Sequence, residues 1–257
     1  MSWPLFKALI KRNWPMWAIF TAVSVVYIAL IVLTKQLMAD VVENIAHEGS
    51  EMESFRDMSI LQYTSSSFFL GIITIFLMVY YVMLSNKLVH KAADNTSMGA
   101  YLTAPISRTK YISTAAMFLL TSIFALYLLV FATGAICMAS VEQYNMADYL
   151  KIVSLSMFCA MAIAMVSFFA SSFWAGSKLG FGLLIGLPIA LYVLYMLSDI
   201  TKALNFLRYV TPFGWLEMLK MTAEFKFWWL ADLGYVAITG IMFLLSVVFF
   251  KKKQLSI

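Results

Sequence analysis

Charged residues are scarce in this 257-residue sequence, and their scarcity excludes a soluble protein. Only 12% of the residues are Asp, Glu, Lys or Arg, while 63% are hydrophobic. Soluble domains contain about 25% charged and roughly 45–50% apolar residues. Because this chain has too little polar surface to separate its apolar residues from water, we predict an integral membrane protein. Its length favours a single transmembrane domain covering residues 1–257.

Residues that build catalytic and metal sites are also missing or scattered. The two histidines, His47 and His90, and the two cysteines, Cys137 and Cys159, form no ligand motif. Both cysteines lie inside apolar runs, which favours small packing residues over a disulfide or a metal pair. There is no G-x-x-x-x-G-K-[ST] phosphate loop, no H-E-x-x-H and no G-x-S-x-G. We therefore expect no enzyme activity, cofactor or metal in this chain.

Six apolar runs are long enough to span a membrane, since a helix needs roughly 20 residues to cross ~30 Å of hydrocarbon. They cover about residues 16–33, 67–84, 112–138, 152–174, 179–197 and 229–250. The first is longer than the apolar part of a signal peptide and lacks a clear A-x-A site after it, so we interpret it as a retained span. Asp232 is the one acid placed in a span. Ion-coupled carriers usually bury charged groups at mid-membrane, so this class is disfavoured.

Basic residues concentrate on one side of the predicted membrane. The side that holds both termini has eleven Lys and Arg residues and one acid, Asp94, whereas the other side has seven basic residues and twelve acids. Because positive charge marks the cytoplasmic side, both termini are predicted to be cytoplasmic. The basic residues lie at span ends and form no stripe, so the net charge of +5 does not indicate a nucleic-acid partner.

A short amphipathic helix is predicted at the N-terminus. Phe6 and Ile10 share one helical face, and Lys7 and Lys11 lie on the other. This pattern is typical of a basic helix that lies in the inner interface. An ordinary charged flank of the first span explains the same residues.

Short outer helices are predicted before the last span. There, Pro212 and Gly214 are interpreted as helix breakers beside Phe213 and Trp215. The alternation over residues 215–220 indicates a re-entrant or interfacial helix that follows them.

Small and hydroxyl residues fall at helical spacings in the fourth and fifth spans. Two small-x-x-x-small spacings indicate either a dimer seam or ordinary packing within the chain. They are formed by Gly176, Gly180, Gly182 and Gly186. A polar face on the fourth span either lines a path or hydrogen-bonds its own helix. It consists of Ser154, Ser167 and Ser171.

The loop between the second and third spans carries the most informative pattern. Residues 94–108 read D-N-T-S-M-G-A-Y-L-T-A-P-I-S-R. Asp94 or Asn95 can cap a short helix that reaches Leu102, and Pro105 lies in the stretch that ends it. A capped helix in a cytoplasmic loop is either a docking surface for a partner or a plain connector.

This loop resembles that of the permease subunits of ATP-binding-cassette exporters of the second type. Members typically carry an acidic residue, a small-residue turn and a Leu-x-x-Pro-Ile-Ser-Arg stretch, matched here by Asp94, residues 99–100 and residues 102–108. Residues 211–215 and the ending at 250–255 also fit this family. The chain departs from the pattern in one respect, because many relatives have Glu where Asp94 stands.

The resemblance implies a six-span subunit that pairs with a second permease half, identical or homologous. Two cytoplasmic ATPase subunits would bind it and would hold ATP and Mg. The loop would form a coupling helix seated on the ATPase, with contacts from Asp94, Thr96, Ser97, Tyr101, Leu102, Pro105 and Arg108. The N-terminal helix would add contact, and the short helices before the last span would close the outer side.

These observations predict a multi-pass subunit of a bacterial cell membrane that exports an amphipathic or apolar cargo. A peptide, a drug or a lipid-like molecule would fit this description. The alternative is a non-transporting membrane subunit, for immunity or sensing. In that case the acidic segment over residues 40–57 would bind a cationic toxin or peptide.

Overall fold

The computed structural model of the chain describes residues 2–45, 58–90, 107–141, 144–174, 178–198, 200, 204–216 and 228–252. Within these ranges the chain is all-helical. Its helices are α1 (Trp3–Ile45), α2 (Ile60–Thr64), α3 (Ile72–Ser85), α4 (Arg108–Ala139), α5 (Met146–Phe173), α6 (Lys178–Ser198), α7 (Phe206–Val210), α8 (Pro212–Leu216) and α9 (Trp228–Lys252). Two π-helical turns, Ser65–Phe69 and Asn86–His90, continue α2 and α3.

Several of these helices are long and apolar enough to cross a membrane, as expected of a multi-pass membrane protein. By length and composition α1, α4, α5 and α9 each qualify. The pair Ile60–Phe69 and Ile73–Val89 forms a fifth candidate that is bent by 41°. The segment Gly182–Ser198 of α6 is a shorter apolar helix. The run predicted as the second span, residues 67–84, is broken within its first turns.

A glycine explains where this second span breaks. A Cβ atom on Gly71 would lie 2.1 Å from the carbonyl oxygen of Ser67, so no larger residue fits here without movement. The chain leaves the first piece at Leu70 and starts α3 after Gly71. The Thr74 hydroxyl then donates to the carbonyl oxygen of Phe69 at 2.6 Å and links the two pieces.

Side-chain caps fix the starts of three helices. Ser59 and Gln62 form a capping box at the start of α2. The Ser107 hydroxyl accepts from the backbone N–H of Lys110 at the start of α4. The Asn145 side chain accepts from the N–H of Ala147 at the start of α5. These are the residue types that satisfy the unpaired N–H groups of a first helical turn.

The N-terminal segment is part of α1 and does not form the separate interface helix that the sequence suggested. α1 runs from Trp3 to Ile45 with Pro15 inside it. The segment is held against α4, because the Ser2 backbone N–H donates to the Thr114 hydroxyl at 3.0 Å. Farther along, the Trp17 indole N–H donates to the carbonyl oxygen of Ser122 at 2.9 Å. Since α4 begins at Arg108, four residues before the predicted start, it offers a packing surface for the extra turns of α1.

The fourth apolar run, α5, forms the centre of the bundle. In the most apolar 18-residue stretch of α5, 72% of the residues are buried. The corresponding fractions are 28% for α1 and 17% for α9. It packs against α3, α4, α6 and α9. The outward faces of α1 and α9 consist of large apolar side chains, as lipid contact requires.

The bundle has two ends. At the end where residues 91–106 leave the helices, here called the loop end, lie the starts of α1 and α4 and the ends of α5 and α9. At the opposite end, called the α8 end, lie α7, α8 and the starts of α5 and α9. Both ends carry residues that the sequence singled out.

Candidate functional site

The predicted coupling contacts fall mostly in the segment 91–106. Asp94, Thr96, Ser97, Tyr101, Leu102 and Pro105 lie outside the described residues. The structure does describe the two points where this segment joins the bundle. These are the π-helical turn Asn86–His90 and the start of α4 at Arg108.

The two junctions of the segment are joined to each other. The Tyr111 hydroxyl donates to the carbonyl oxygen of Leu88 at 2.8 Å, and both residues are buried. Ser107 caps α4 one residue before Arg108, and this cap fixes the direction in which the chain enters α4 from the segment 91–106. Any displacement of the segment therefore reaches α3 and α4 together.

Two further helices hold the same junctions. Ser171 of α5 donates from its hydroxyl to the carbonyl oxygen of Ser85 at 3.3 Å, and both residues are fully buried. From α1, the Arg12 guanidinium donates to the carbonyl oxygen of Lys87, and the Lys87 ammonium donates to that of Arg12, both at 3.4 Å. We call the contacts of Ser85, Lys87, Leu88, Tyr111 and their partners the loop-end frame. It ties α1, α3, α4 and α5 at one level.

The basic residues predicted for the N-terminus lie at the edge of this frame. Lys7 and Lys11 are exposed, and the Lys7 Nζ atom lies 5.6 Å from the centre of the Trp3 ring. Phe6 is half-buried against the ring of Phe118, whereas Ile10 is exposed. Leu5 and Leu9 supply the fully buried face, one position away from the predicted pair.

The predicted outer segment is helical where it was expected to be broken. Pro212 begins α8 and Gly214 lies inside it. Proline suits a first helical turn because the N–H it lacks would have no helical partner there. The interpretation of Gly214 as a helix breaker was therefore wrong, whereas a break does precede Pro212, between α7 and α8. Residues 215 and 216 of the predicted helix belong to α8, and residues 217–220 lie outside the described residues.

α8 is inserted among the longer helices and does not lie on their surface. The Tyr235 hydroxyl donates to the carbonyl oxygen of Pro212 at 2.6 Å, and the Cys159 thiol approaches the same oxygen at 3.8 Å. The Phe213 ring packs against Tyr192 of α6 with ring centres 5.2 Å apart. The Trp215 indole donates to the carbonyl oxygen of Tyr209 at 3.0 Å. α8 is thus fixed by α5, α6, α7 and α9.

Buried tyrosines link helices in the bundle interior, and sequence reasoning missed them. Tyr127 and Ser156 share a hydrogen bond of 3.1 Å between α4 and α5, and Tyr80 donates to the Ser122 hydroxyl at 3.0 Å. Beside Tyr127 and Ser156 lies a void of about 10 Å³, enough for one water molecule at most. A tyrosine inside an apolar run was the available signal, because its hydroxyl needs a partner when it is buried.

The serines proposed to line a path bind protein atoms. Ser167 is fully buried and donates to the carbonyl oxygen of Ile163 at 3.2 Å, and Ser171 belongs to the loop-end frame. Ser154 donates to the carbonyl oxygen of Lys151 and also lies 3.3 Å from a carboxylate oxygen of Asp232. Path lining by these residues stays a prediction for another state of the protein.

The glycine pairs separate into described and undescribed positions. Gly176 lies outside the described residues, and Gly180 is placed as a residue of α6. Gly182 and Gly186 are exposed, and a Cβ atom on either would meet nothing within 4 Å. No helix of the described chain therefore packs on these two residues, and the dimer seam stays a prediction.

Chemically reactive groups do not cluster in the described part of the chain. The described residues contain no group of three or more His, Cys, Asp or Glu side chains that could share a metal ion. Cys137 and Cys159 are both free thiols.

Comparisons with known proteins leave the family open. A scan against protein-family models matched no family, and a search of curated proteins found no similar sequence. The family resemblance therefore depends on the residue pattern of the segment 91–106 and its junctions.

Proposed function

We propose that the chain is the membrane-spanning subunit of an ATP-driven exporter whose ATPase is a separate cytoplasmic protein. ATP and Mg would be held by that partner, and no residue of this chain is assigned to them. The cargo would be amphipathic or apolar. A second permease half, the same or homologous, would complete the transporter.

The proposed topology has six spans. The four long apolar helices, the bent pair and α6 would supply them, and α7 and α8 would lie between the fifth and sixth. The loop end carries the starts of α1 and α4 with their basic residues, so it is assigned to the cytoplasm. The α8 end would face outward, with α7 and α8 as its short re-entrant helices.

The observation that carries the proposal is the Leu-x-x-Pro-Ile-Ser-Arg pattern of residues 102–108, at the junction of the segment with the loop-end frame. A helix that receives force from a partner needs rigid junctions, because a loose connection would absorb the movement. Tyr111 and Leu88 supply one such link, and Ser171 extends it to the central helix. Arg108, half-buried in the first turn of α4, lies at the base of the segment.

Association with an ATPase is the first test. The full chain is co-expressed with candidate cassette ATPases from the same genome, purified in detergent and then reconstituted into vesicles. We expect a stable complex and cargo flux that requires ATP. Complete absence of association would refute the proposal, whereas binding of a toxin without flux would support the immunity or sensor alternative.

Two substitutions test the segment itself. Leu102→Ala and Arg108→Glu are expected to lose the complex or its transport while still inserting normally into the membrane. Lys251→Glu is the matched control, because Lys251 is an exposed basic residue at the same end of the bundle, on α9. Equal transport by all three variants would count against the segment as the coupling element.

The side of the membrane is tested independently. A protease site or an accessible tag placed at residues 98–100 reports whether the segment faces the cytosol. Cleavage only after the membrane is opened is expected for right-side-out cells. Cleavage from outside would rule out any ATPase contact at this segment.

A further inference from the structure

A cleft between α1 and α4 opens on the lipid-facing side of the bundle. Its volume is about 270 Å³, and its walls come from two helices only. They are Phe6, Ile10, Trp14 and Trp17 of α1 and Phe118, Thr121, Ser122 and Ala125 of α4. Trp14 is 56% exposed and Ile10 40%, so the cleft is reached from the side.

The walls of the cleft are apolar and held in place. The Trp17 indole donates to the carbonyl oxygen of Ser122, and the Thr121 hydroxyl donates to the carbonyl oxygens of Met117 and Phe118. These polar groups are therefore satisfied by the protein and offer nothing to a ligand. The rings of Trp14 and Trp17 pack with centres 5.0 Å apart, which fixes one wall. Such a cleft accepts a hydrocarbon chain.

The rim nearest the loop end has the opposite character. Lys7 precedes Trp14 by seven residues, which is two helical turns, so it lies near Trp14 at the edge of the cleft face of α1 and about 10 Å closer to the loop end. Lys11 is one turn from Lys7 on the neighbouring ridge. Both are exposed.

Lys7 and Lys11 have no acidic partner in the part of the chain that the structure describes, where the ion pair found is Lys151 with Asp148. The indole N–H of Trp14 likewise finds no acceptor among the described residues, although it lies at the mouth of the cleft. The rim thus offers positive charge and a hydrogen-bond donor above an apolar slot. An amphipathic anion matches this arrangement.

We propose that the cleft holds an acyl chain of an anionic phospholipid, with the lipid's phosphate beside Lys7 and Lys11. A second copy of the chain fits less well, since a two-fold contact would bring the same two lysines of each copy together. The site is distinct from lipid that merely surrounds the bundle, because it requires both the slot and the charges. It does not depend on the transport proposal, only on a bilayer around the chain.

The test uses lipids whose acyl chains carry bromine, which quenches tryptophan fluorescence on contact. The full chain is placed in nanodiscs of phosphatidylcholine that contain a small fraction of brominated phosphatidylglycerol or brominated phosphatidylcholine. Quenching lost in the Trp14→Phe/Trp17→Phe variant is assigned to the cleft. We expect brominated phosphatidylglycerol to quench these two tryptophans at several-fold lower lipid fraction than brominated phosphatidylcholine.

Charge variants separate this site from ordinary lipid contact. Each of Lys7→Gln and Lys11→Gln is expected to reduce the preference for the anionic lipid by about five-fold at low salt. Lys251→Gln, at the same end of the bundle but on α9, is the control and keeps the preference. High salt weakens the preference of the wild type, because exposed charges are screened.

A slot variant tests the apolar half of the site. Ala125→Phe fills the cleft and is expected to remove the preference for the anionic lipid while the lysines remain, leaving only the quenching of exposed Trp14 by surrounding lipid. Its helix content and elution volume show whether it is folded, and the lysine variants decide the question if it is not. Equal quenching by both lipids in the wild type, unaffected by the lysines, would overturn the proposal. Absence of quenching together with Thr121→Cys cross-links between copies would overturn it in favour of a protein interface.

Discussion

Replacing Gly214 with alanine tests how tightly α8 is held against α7. A Cβ atom at this position would lie 1.9 Å from the carbonyl oxygen of Arg208 and 2.7 Å from its carbonyl carbon. Because real Cβ atoms essentially never come closer than 3.0 Å to another atom, the two short helices must separate by at least 1.1 Å, the difference between 3.0 and 1.9 Å. The obstacle is backbone, so a side-chain rotation cannot relieve it.

The separation has a cost that follows from the neighbours of α8. Moving it stretches the 2.6 Å hydrogen bond from Tyr235 to the Pro212 carbonyl and the 3.0 Å bond from Trp215 to Tyr209. Overpacking of a closed site costs about 1–3 kcal/mol. For a chain of this length that corresponds to a fall of roughly 2–12 °C in the melting temperature.

The assay is thermal unfolding of the full chain in detergent, followed by tryptophan fluorescence. Gly240→Ala is the matched control, since Gly240 is exposed in α9 and a Cβ atom there meets nothing within 4 Å. Alanine favours a helix over glycine by about 0.5–1 kcal/mol, so this control is expected to melt at the wild-type temperature or slightly above it. If Gly214→Ala and Gly240→Ala unfold together, the packing of α8 described here is wrong.

Three further predictions concern the frame, the buried acid and the glycine pair. Tyr111→Phe removes the hydrogen bond to Leu88 and is expected to cost about 1 kcal/mol and to increase deuterium uptake over residues 88–111, measured by mass spectrometry. Asp232→Asn is expected to raise the melting temperature, because the buried carboxylate has one oxygen without a hydrogen-bond partner. Ser154→Ala is expected to lower the melting temperature, because it removes the hydrogen bond to the other carboxylate oxygen. The opposite order of the two melting temperatures would contradict this reasoning. Gly186→Leu is expected to leave the melting temperature unchanged but to abolish dimer cross-links, and persistent cross-links would exclude the seam.

Composition and hydrophobic run length were enough to predict an all-helical membrane protein. The fifth and sixth predicted runs, residues 179–197 and 229–250, match α6 and α9 closely. The first run, residues 16–33, covers only part of α1, and the second is broken at Gly71. The agreement of the fifth and sixth runs has a simple cause, because every backbone N–H and C=O group in hydrocarbon must be paired within the chain. A helix satisfies that demand locally, so run length alone carries the information.

Features that depend on contacts between distant residues were missed. Pro212 was interpreted as a breaker, yet it begins α8, and Tyr235 of another helix holds it there by a hydrogen bond to its carbonyl oxygen. The N-terminal turns read as a separate interface helix, yet Thr114 and Ser122 of α4 hold them in line with α1. The local sequence pattern predicts that a segment is helical, but it does not predict which other helix the segment packs against.

The candidate site was predicted only in its outline. The Leu-x-x-Pro-Ile-Ser-Arg pattern marks a segment that leads into the third span. That span was predicted to start at about residue 112, whereas its helix already begins at Arg108. The link from Tyr111 to Leu88 was not anticipated, because it joins a side chain to a backbone carbonyl 23 residues away. Every residue has a backbone carbonyl group, so the amino-acid sequence does not show which one accepts a hydrogen bond.

The enclosure of α5 bears on the proposed transport. Five neighbouring helices contact it, its serines bind protein atoms, and the void beside Tyr127 has room for one water molecule at most. A route through the middle of one subunit would require these layers to be pulled apart. A carrier built from this chain would instead move each bundle as a rigid body and open its corridor along the boundary between two halves.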